Sequence, residues 1–159
     1  KHPLDALNAA HAAGFDVVAC GDGPLEEKFC AAMRAGDRYL GRISGTDAMK
    51  AFYADCDVLL VPSSAETFGM VYLEAMSQGV PVLYTKGQGV DGQFPEGEIG
   101  YAVPCSDVQA QTEALKRVVQ GYAQRSQRCV AGAEKYAWPR IAGMWMRLYQ
   151  EICIEKRGV

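Results

Sequence analysis

The feature that most constrains this chain is a regular alternation of short β-rich runs with stretches long enough to be crossover helices. The runs are Phe15-Asp-Val-Val-Ala-Cys20, Tyr39-Leu-Gly-Arg42, Asp57-Val-Leu-Leu-Val61, Val80-Pro-Val-Leu-Tyr84 and a weaker Gly100-Tyr-Ala-Val103. They are apolar without clean alternation, the pattern of strands covered on both faces. Between them lie Pro3 to Ala13, Leu25 to Ala35, Asp47 to Ala54 and Phe68 to Gln78. A βαβα order of this kind predicts an α/β fold with a parallel sheet, right-handed crossovers and flanking helices.

After about residue 106 the strand signal stops and a helical tail is expected. Val108, Leu115, Val119 and Tyr122 fall on one helical face behind Asp107, a good N-cap residue. Trp138, Ile141, Trp145, Leu148 and Ile152 step by three and four, predicting a helix from Trp138 to about residue 155 whose stripe packs as a buried flank. With no internal repeat, low-complexity tract or linker, residues 1–159 read as one domain, α/β to about 106 and helical over 107–159.

Composition narrows the function. The chain carries 16 Lys+Arg against 19 Asp+Glu, a formal charge of −3, and no dense basic block, which argues against nucleic acid as a partner. No apolar run approaches the roughly 18–20 residues that span a bilayer, and the start, Lys-His-Pro-Leu-Asp, lacks the pattern of a signal peptide. Cys20, Cys30, Cys56, Cys105, Cys129 and Cys153 never approach Cys-x-x-Cys spacing and read as small core residues of a reducing cytosol. The expected location is therefore cytoplasmic, with the inner membrane surface as the alternative should a further domain carry the chain there. The two His and the scattered acids lack metal-ligand spacing, so no metal is expected.

In an open α/β sheet, ligands bind beyond the carboxyl ends of the strands. The first such loop is Gly21-Asp22-Gly23-Pro24, followed by Leu25-Glu26-Glu27: glycines that permit close backbone approach, Pro at a first helical position, and acids in the first turn. The same residues also suit any strand-to-helix turn. The second loop follows Val61, and there Gly69 is expected to open a helix whose free N–H groups and dipole favour a phosphate or diphosphate. Glu66 precedes that helix. Glu74 lies two turns in, between Leu73 and Ala75-Met76, where an acid is costly unless something donates to it. A vicinal diol such as the 2′- and 3′-hydroxyls of a ribose would satisfy both its oxygens.

The run Glu66-Thr-Phe-Gly69…Leu73-Glu74-Ala-Met76…Gly79-Val-Pro-Val82 resembles the E-x7-E region of family 4 retaining glycosyltransferases of the GT-B fold, written E-G-F-G…E-A-M…G-x-P-V. The flanks agree in order. Val18-Ala-Cys-Gly-Asp-Gly-Pro24 is similar to the family's strand and G-x-G-P, Tyr39-Leu-Gly-Arg-Ile-Ser44 to its F-L-G-x-V, Ala54-Asp-Cys-Asp57-Val-Leu-Leu-Val-Pro-Ser63 to its A-D-x-x-V-x-P-S, and Gly97-Glu-Ile-Gly-Tyr-Ala-Val-Pro104 to its G-x-x-G-x-L-V-P. Two departures stand out: Thr67 replaces the family's Gly, and the Gly-rich segment from Thr85 to Gly97, read as mobile, replaces a G-G-x-x-E stretch.

The resemblance implies a Rossmann-like domain, the C-terminal half of a GT-B fold, that binds a nucleotide-diphosphate sugar and transfers the sugar with retention of anomeric configuration. It implies Glu74 as the ribose-binding acid and Glu66 as the carboxylate beside the donor sugar, the one catalytic candidate. Phe68, Gly69 and Met70 take the positions whose N–H groups meet the diphosphate or sugar, Gly21 and Gly23 the first glycine loop, and Ile43 the main-chain contact to the base. Lys1 matches the lysine that neutralises the diphosphate, whereas Arg42 reads as a surface charge. The implied partners are the donor, the chain's own N-terminal domain and an unidentified sugar, lipid or protein acceptor. The resemblance puts that N-terminal domain, and the first strand of this one, before Lys1. The strand would be central, between the runs at 15–20 and 57–61, and its loss would leave unpaired edges that a further segment is expected to fill. Without the acceptor domain the chain is expected to be inactive in transfer, and some of the Trp138–Ile152 stripe, on a helix that in the family crosses back toward that domain, is expected to be exposed.

Two other readings stay open on the sequence. One is a dinucleotide-binding oxidoreductase domain, although Gly21-x-Gly23 lacks the third glycine of G-x-G-x-x-G because position 26 is Glu. The other is a non-catalytic module that binds nucleotide sugars.

Overall fold

The computed structural model describes residues 1–157 and contains five strands, every pairing parallel, with seven helices. Helix α1 (Pro3–Ala13) starts on a proline, whose fixed φ and missing N–H suit a first turn. It ends at Gly14 in the left-handed region, where the Gly14 N–H caps the Ala10 and His11 carbonyls. Then follow β1 (Val18–Ala19), α2 (Glu26–Ala32), β2 (Arg38–Tyr39), α3 (Thr46–Ala54), β3 (Leu59–Leu60), α4 (Met70–Ser77), β4 (Val82–Thr85) and β5 (Gly100–Val103). The expected alternation is present element by element. Pro24, expected at the first helical position of α2, sits in the turn before it, and Leu25 takes the N-cap.

The parallel ladders form two sheets, β1-β2 and β3-β4-β5. The resemblance puts its additional strand between β1 and β3, which belong to different sheets here. Val17 and Ala19 give their carbonyls to Arg38 and Leu40, while Leu59 and Val61 donate to Pro81 and Leu83, so each strand is laddered along one edge. Only two residues of the longer apolar runs at 15–20 and 57–61 lie in these ladders. Among the described residues no segment pairs with the other edges. The chain's first residues lie at one end of β3, where the His2 N–H donates to the Pro62 carbonyl at 2.8 Å.

Strand β4 is buried at every position, and its side chains alternate between two cores. Val82 and Tyr84 join Tyr72, Met76 and Phe94 on one face, and Leu83 joins Ala9, Leu115 and Val118 on the other. Helices α4 and α6 (Tyr122–Glu134) cover the first face, while α1 and α5 (Val108–Val118) cover the second. Asp107 caps α5 as expected, accepting from the Ala110 N–H at 2.9 Å.

The tail departs from expectation. The face predicted from Val108 to Tyr122 is cut at Gly121, whose φ of 69° ends one helix path and starts α6 with Tyr122. Helix α7 (Trp138–Arg157) begins where predicted, but its stripe is not buried: Trp138 is 75% exposed and Trp145 53%, with Leu148 and Ile152 also exposed. Periodicity identified an apolar face; it carried no information on what lies against it. The cysteine expectation also needs correction, since only Cys129 is buried and Cys30 and Cys153 are exposed, all six being free thiols. The Gly-rich segment after Thr85 is anchored, with Val90 and Phe94 inserted in the first core.

Candidate functional site

The site begins where β3 ends. Ser63, almost wholly buried, donates its N–H to Thr85 Oγ1 at 2.7 Å, and its hydroxyl donates to the Ala65 carbonyl at 2.9 Å. The loop after β3 is thus fastened to the end of β4. The Glu66 N–H donates to Gln88 Oε1 at 2.9 Å, a second tie between the same two loops. Gly89 makes the close approach possible, because a Cβ there would lie 2.9 Å from the Phe68 carbonyl oxygen and 3.1 Å from Glu66 Cγ. Fixed in this way, Glu66 keeps its side chain only 13% exposed and forms an ion pair with the Lys1 ammonium.

Gly69 then turns the chain into α4 with φ 82°. Tyr72 fills the space beneath it and donates its hydroxyl to the Val61 carbonyl at 2.9 Å, bracing the helix start against β3. The first hydrogen bond of this turn runs from the Tyr72 N–H to the Gly69 carbonyl, which leaves the N–H groups of Gly69, Met70 and Val71 ahead of the helical ladder. Phe68 is half-buried against Tyr136, ring centroids 5.3 Å apart, and Met70 is 53% exposed. Phe68, Gly69 and Met70 thus stand together at the start of α4, where the sequence places them.

Glu74 is exposed, not immersed in an apolar stretch, because the α4 face that carries it turns away from the core holding Leu73, Ala75 and Met76. The group that donates to it is Tyr53, whose hydroxyl lies 2.9 Å from Glu74 Oε2. The two residues border a groove of about 390 Å³ lined also by Thr46, Met49, Lys50 and Gln78. This groove joins the two halves of the domain, since its walls are α3, which follows β2, and α4, which follows β3. Ile43 is half-buried in the loop that leads into it.

Gly21 and Gly23 lie in the loop after β1, which is tied to the end of β2 by the Gly21 N–H donating to the Gly41 carbonyl and by the Tyr39 hydroxyl donating to the Gly21 carbonyl. A Cβ at either glycine would meet nothing within 4 Å, so both border open space. Arg42 approaches only Asp22, at 4.0 Å, with both side chains well exposed. A second, more open depression of about 470 Å³, with Tyr101, Arg117 and Arg128 in its wall, holds none of the predicted residues. Among the described residues no three His, Cys, Asp or Glu side chains are grouped to hold a metal, and no helix is long and apolar enough to cross a membrane.

The structure therefore unites Lys1 with Glu66, and Phe68, Gly69 and Met70 at one helix start, with Glu74 two turns on. Sequence reading missed Tyr53, Gln88 and Thr85. A tyrosine facing the interior of α3 carried a signal, because a buried hydroxyl requires a partner, but not the identity of that partner.

The sequence pattern of the family described as glycosyl transferases group 1 matches residues 4–136. The chain is 33% identical over 120 residues to the phosphatidyl-myo-inositol mannosyltransferase of Mycobacterium leprae, covering 72% of this chain and 32% of that one. It is 34% identical over 150 residues to the sulfoquinovosyl transferase of Arabidopsis thaliana, covering 87% and 27%. The fold superposes on sucrose-phosphate synthase from Thermosynechococcus elongatus with a TM-score of 0.73 at 25% identity, over 96% of this chain and 43% of that one. The chain thus spans about a third or less of the length of these two curated relatives.

Proposed function

The chain belongs to the glycosyl transferases group 1 family, and from that premise we propose that it is the donor-binding domain of an enzyme that transfers a sugar from a nucleotide diphosphate with retention of configuration. The observation that carries the reading is the arrangement around α4: a glycine-opened helix start, the Lys1–Glu66 pair on one side of it and Glu74 at a groove on the other. An oxidoreductase role is set aside by the family membership.

Breaking the anomeric C–O bond puts negative charge on a departing diphosphate, so rate comes from positive groups aimed where that charge develops. The N–H groups at Phe68, Gly69 and Met70 and the Lys1 ammonium are assigned to the diphosphate, which gives its neutralisation to the protein rather than to a metal. The open loop at Gly21 and Gly23 admits the same end of the donor. Glu74 accepts from the ribose hydroxyls, the main chain at Ile43 meets the base, and Glu66 faces the sugar. The sequence assigns no second carboxylate as acid partner to Glu66 in the manner of a glycosidase pair, and the proposed transfer is on one face of the sugar. The acceptor, of unassigned chemistry, is held by an N-terminal domain outside these 159 residues. Orientation against the anomeric carbon then needs both domains, so this chain alone binds donor without transferring.

Calorimetry with UDP, GDP and ADP on wild type, Glu74→Ala and Glu74→Gln tests the reading. Glu74→Ala is expected to weaken the preferred nucleotide by about 1.5–3 kcal/mol, the worth of hydrogen bonds to a charged group, and Glu74→Gln by less because one acceptor remains. Equal affinities for wild type and Glu74→Ala, or tighter binding of NADH than of any nucleoside diphosphate, would overturn it.

A further inference from the structure

Glu74 sits at the rim of its groove on a long, exposed side chain, and an unrestrained glutamate would sample several rotamers there. One contact removes that freedom. Tyr53 lies in the last turn of α3, is 2% exposed, and has its ring in the first core, edge-on to Phe52 at 5.2 Å. Its hydroxyl emerges from that core and donates to Glu74 Oε2 at 2.9 Å. Burial, and then the bond to Glu74 and its charge, push the phenol far above its ordinary range, so it stays a neutral donor.

We infer that Tyr53 is a positioning residue for nucleotide binding: its rigid, core-anchored hydroxyl pins Oε2 of Glu74 and leaves Oε1 turned to the groove for the ligand's hydroxyls. The inference rests on the reading of Glu74 as the ribose acceptor. It follows from an asymmetry of the pair. The tyrosine is fixed by packing and the glutamate is not, so the bond orders the glutamate more than it orders the tyrosine. Pre-ordering a polar group lowers the entropy lost on binding.

The test is a double-mutant cycle on Tyr53→Phe, Glu74→Ala and the double variant, with whichever of UDP, GDP and ADP wild type binds best and with its 2′-deoxy analogue. Phe keeps the ring in the core, and a melting curve for each variant reports folding. Tyr53→Phe is expected to weaken the ribonucleotide about 3- to 10-fold and to narrow the preference for ribose over 2′-deoxyribose. In the Glu74→Ala background it should change affinity by less than about 2-fold, because its effect passes through Glu74. Wild-type affinity for Tyr53→Phe, or an equal loss in both backgrounds, overturns the positioning role while leaving the ribose role of Glu74 intact. Wild-type affinity for Glu74→Ala overturns the ribose role itself, and the positioning role with it.

Discussion

Lys1 and Glu66, 65 residues apart in sequence, meet as an ion pair at the end of β3. Lys1 arrives there because His2 is bonded to the Pro62 carbonyl, and Glu66 because its backbone is bonded to Gln88. Under the proposed function a diphosphate competes for this cation and separates it from the carboxylate that neutralises it here. The expected result is a split between the two substitutions. Lys1→Ala should weaken a nucleoside diphosphate about 10-fold and the monophosphate far less, an effect that shrinks as salt rises because Lys1 is half exposed. Glu66→Gln frees Lys1, so it should leave the bare nucleotide bound at least as well as wild type while weakening the full donor. Titrations with nucleotide and nucleotide sugar at low and high salt decide it, and an equal loss of both ligands in Glu66→Gln would remove Glu66 from the sugar.

Gly69 is required twice over. Its φ of 82° costs an L-residue about 1–3 kcal/mol, and a Cβ would lie 2.4 Å from the Tyr72 ring, which is itself held by its bond to Val61. Gly69→Ala should therefore lower the melting temperature by about 3–10 °C and also weaken the nucleoside diphosphate, since the N–H groups at the start of α4 move with the displaced ring. A variant as stable as wild type in scanning calorimetry would contradict this account of the helix start.

Most of what the sequence made legible was local. Strand and helix periods located all five strands and the first four helices, and the strand–loop–Gly69–helix order located the glycine-opened start of α4 before any geometry was available. Elements that depend on partners distant in sequence were not legible. The apolar runs at 15–20 and 57–61 promised longer strands than the two-residue ladders at β1 and β3. The break at Gly121 was hidden because the apolar spacing from Val108 continues across it to Tyr122. The exposed face of α7 has the same period as a buried one. At the site, Glu74 was identified from its motif, but its environment was misjudged: flanking apolar residues belong to a different face of the helix, and its donor, Tyr53, comes from another helix.

A second group of residues lay outside any sequence reading and bears on the expected stability in acid. The Asp37 side chain is completely buried between α1, β1 and α2, where its carboxylate accepts from the backbone N–H groups of Val17 and Arg34 and from His11 Nε2, each at 2.8 Å. Burial alone would raise its pKa, but the Arg34 and Val17 N–H groups and His11 outweigh it and hold the carboxyl below its ordinary value of 3.8. The folded state therefore binds this proton less readily than the unfolded chain does. The contribution is complete above about pH 4 and is lost as pH falls through the lower, folded-state value. Asp37→Asn keeps one acceptor but turns an amide N–H₂ toward the backbone donors, and should cost about 2–4 kcal/mol at pH 7. Its stability should also fall less steeply than that of wild type below pH 4, because the group responsible for that slope is gone. Urea titrations of both proteins from pH 7 down to pH 3 check the two expectations together, and parallel stability curves across the acid range would show that Asp37 is not the titrating group.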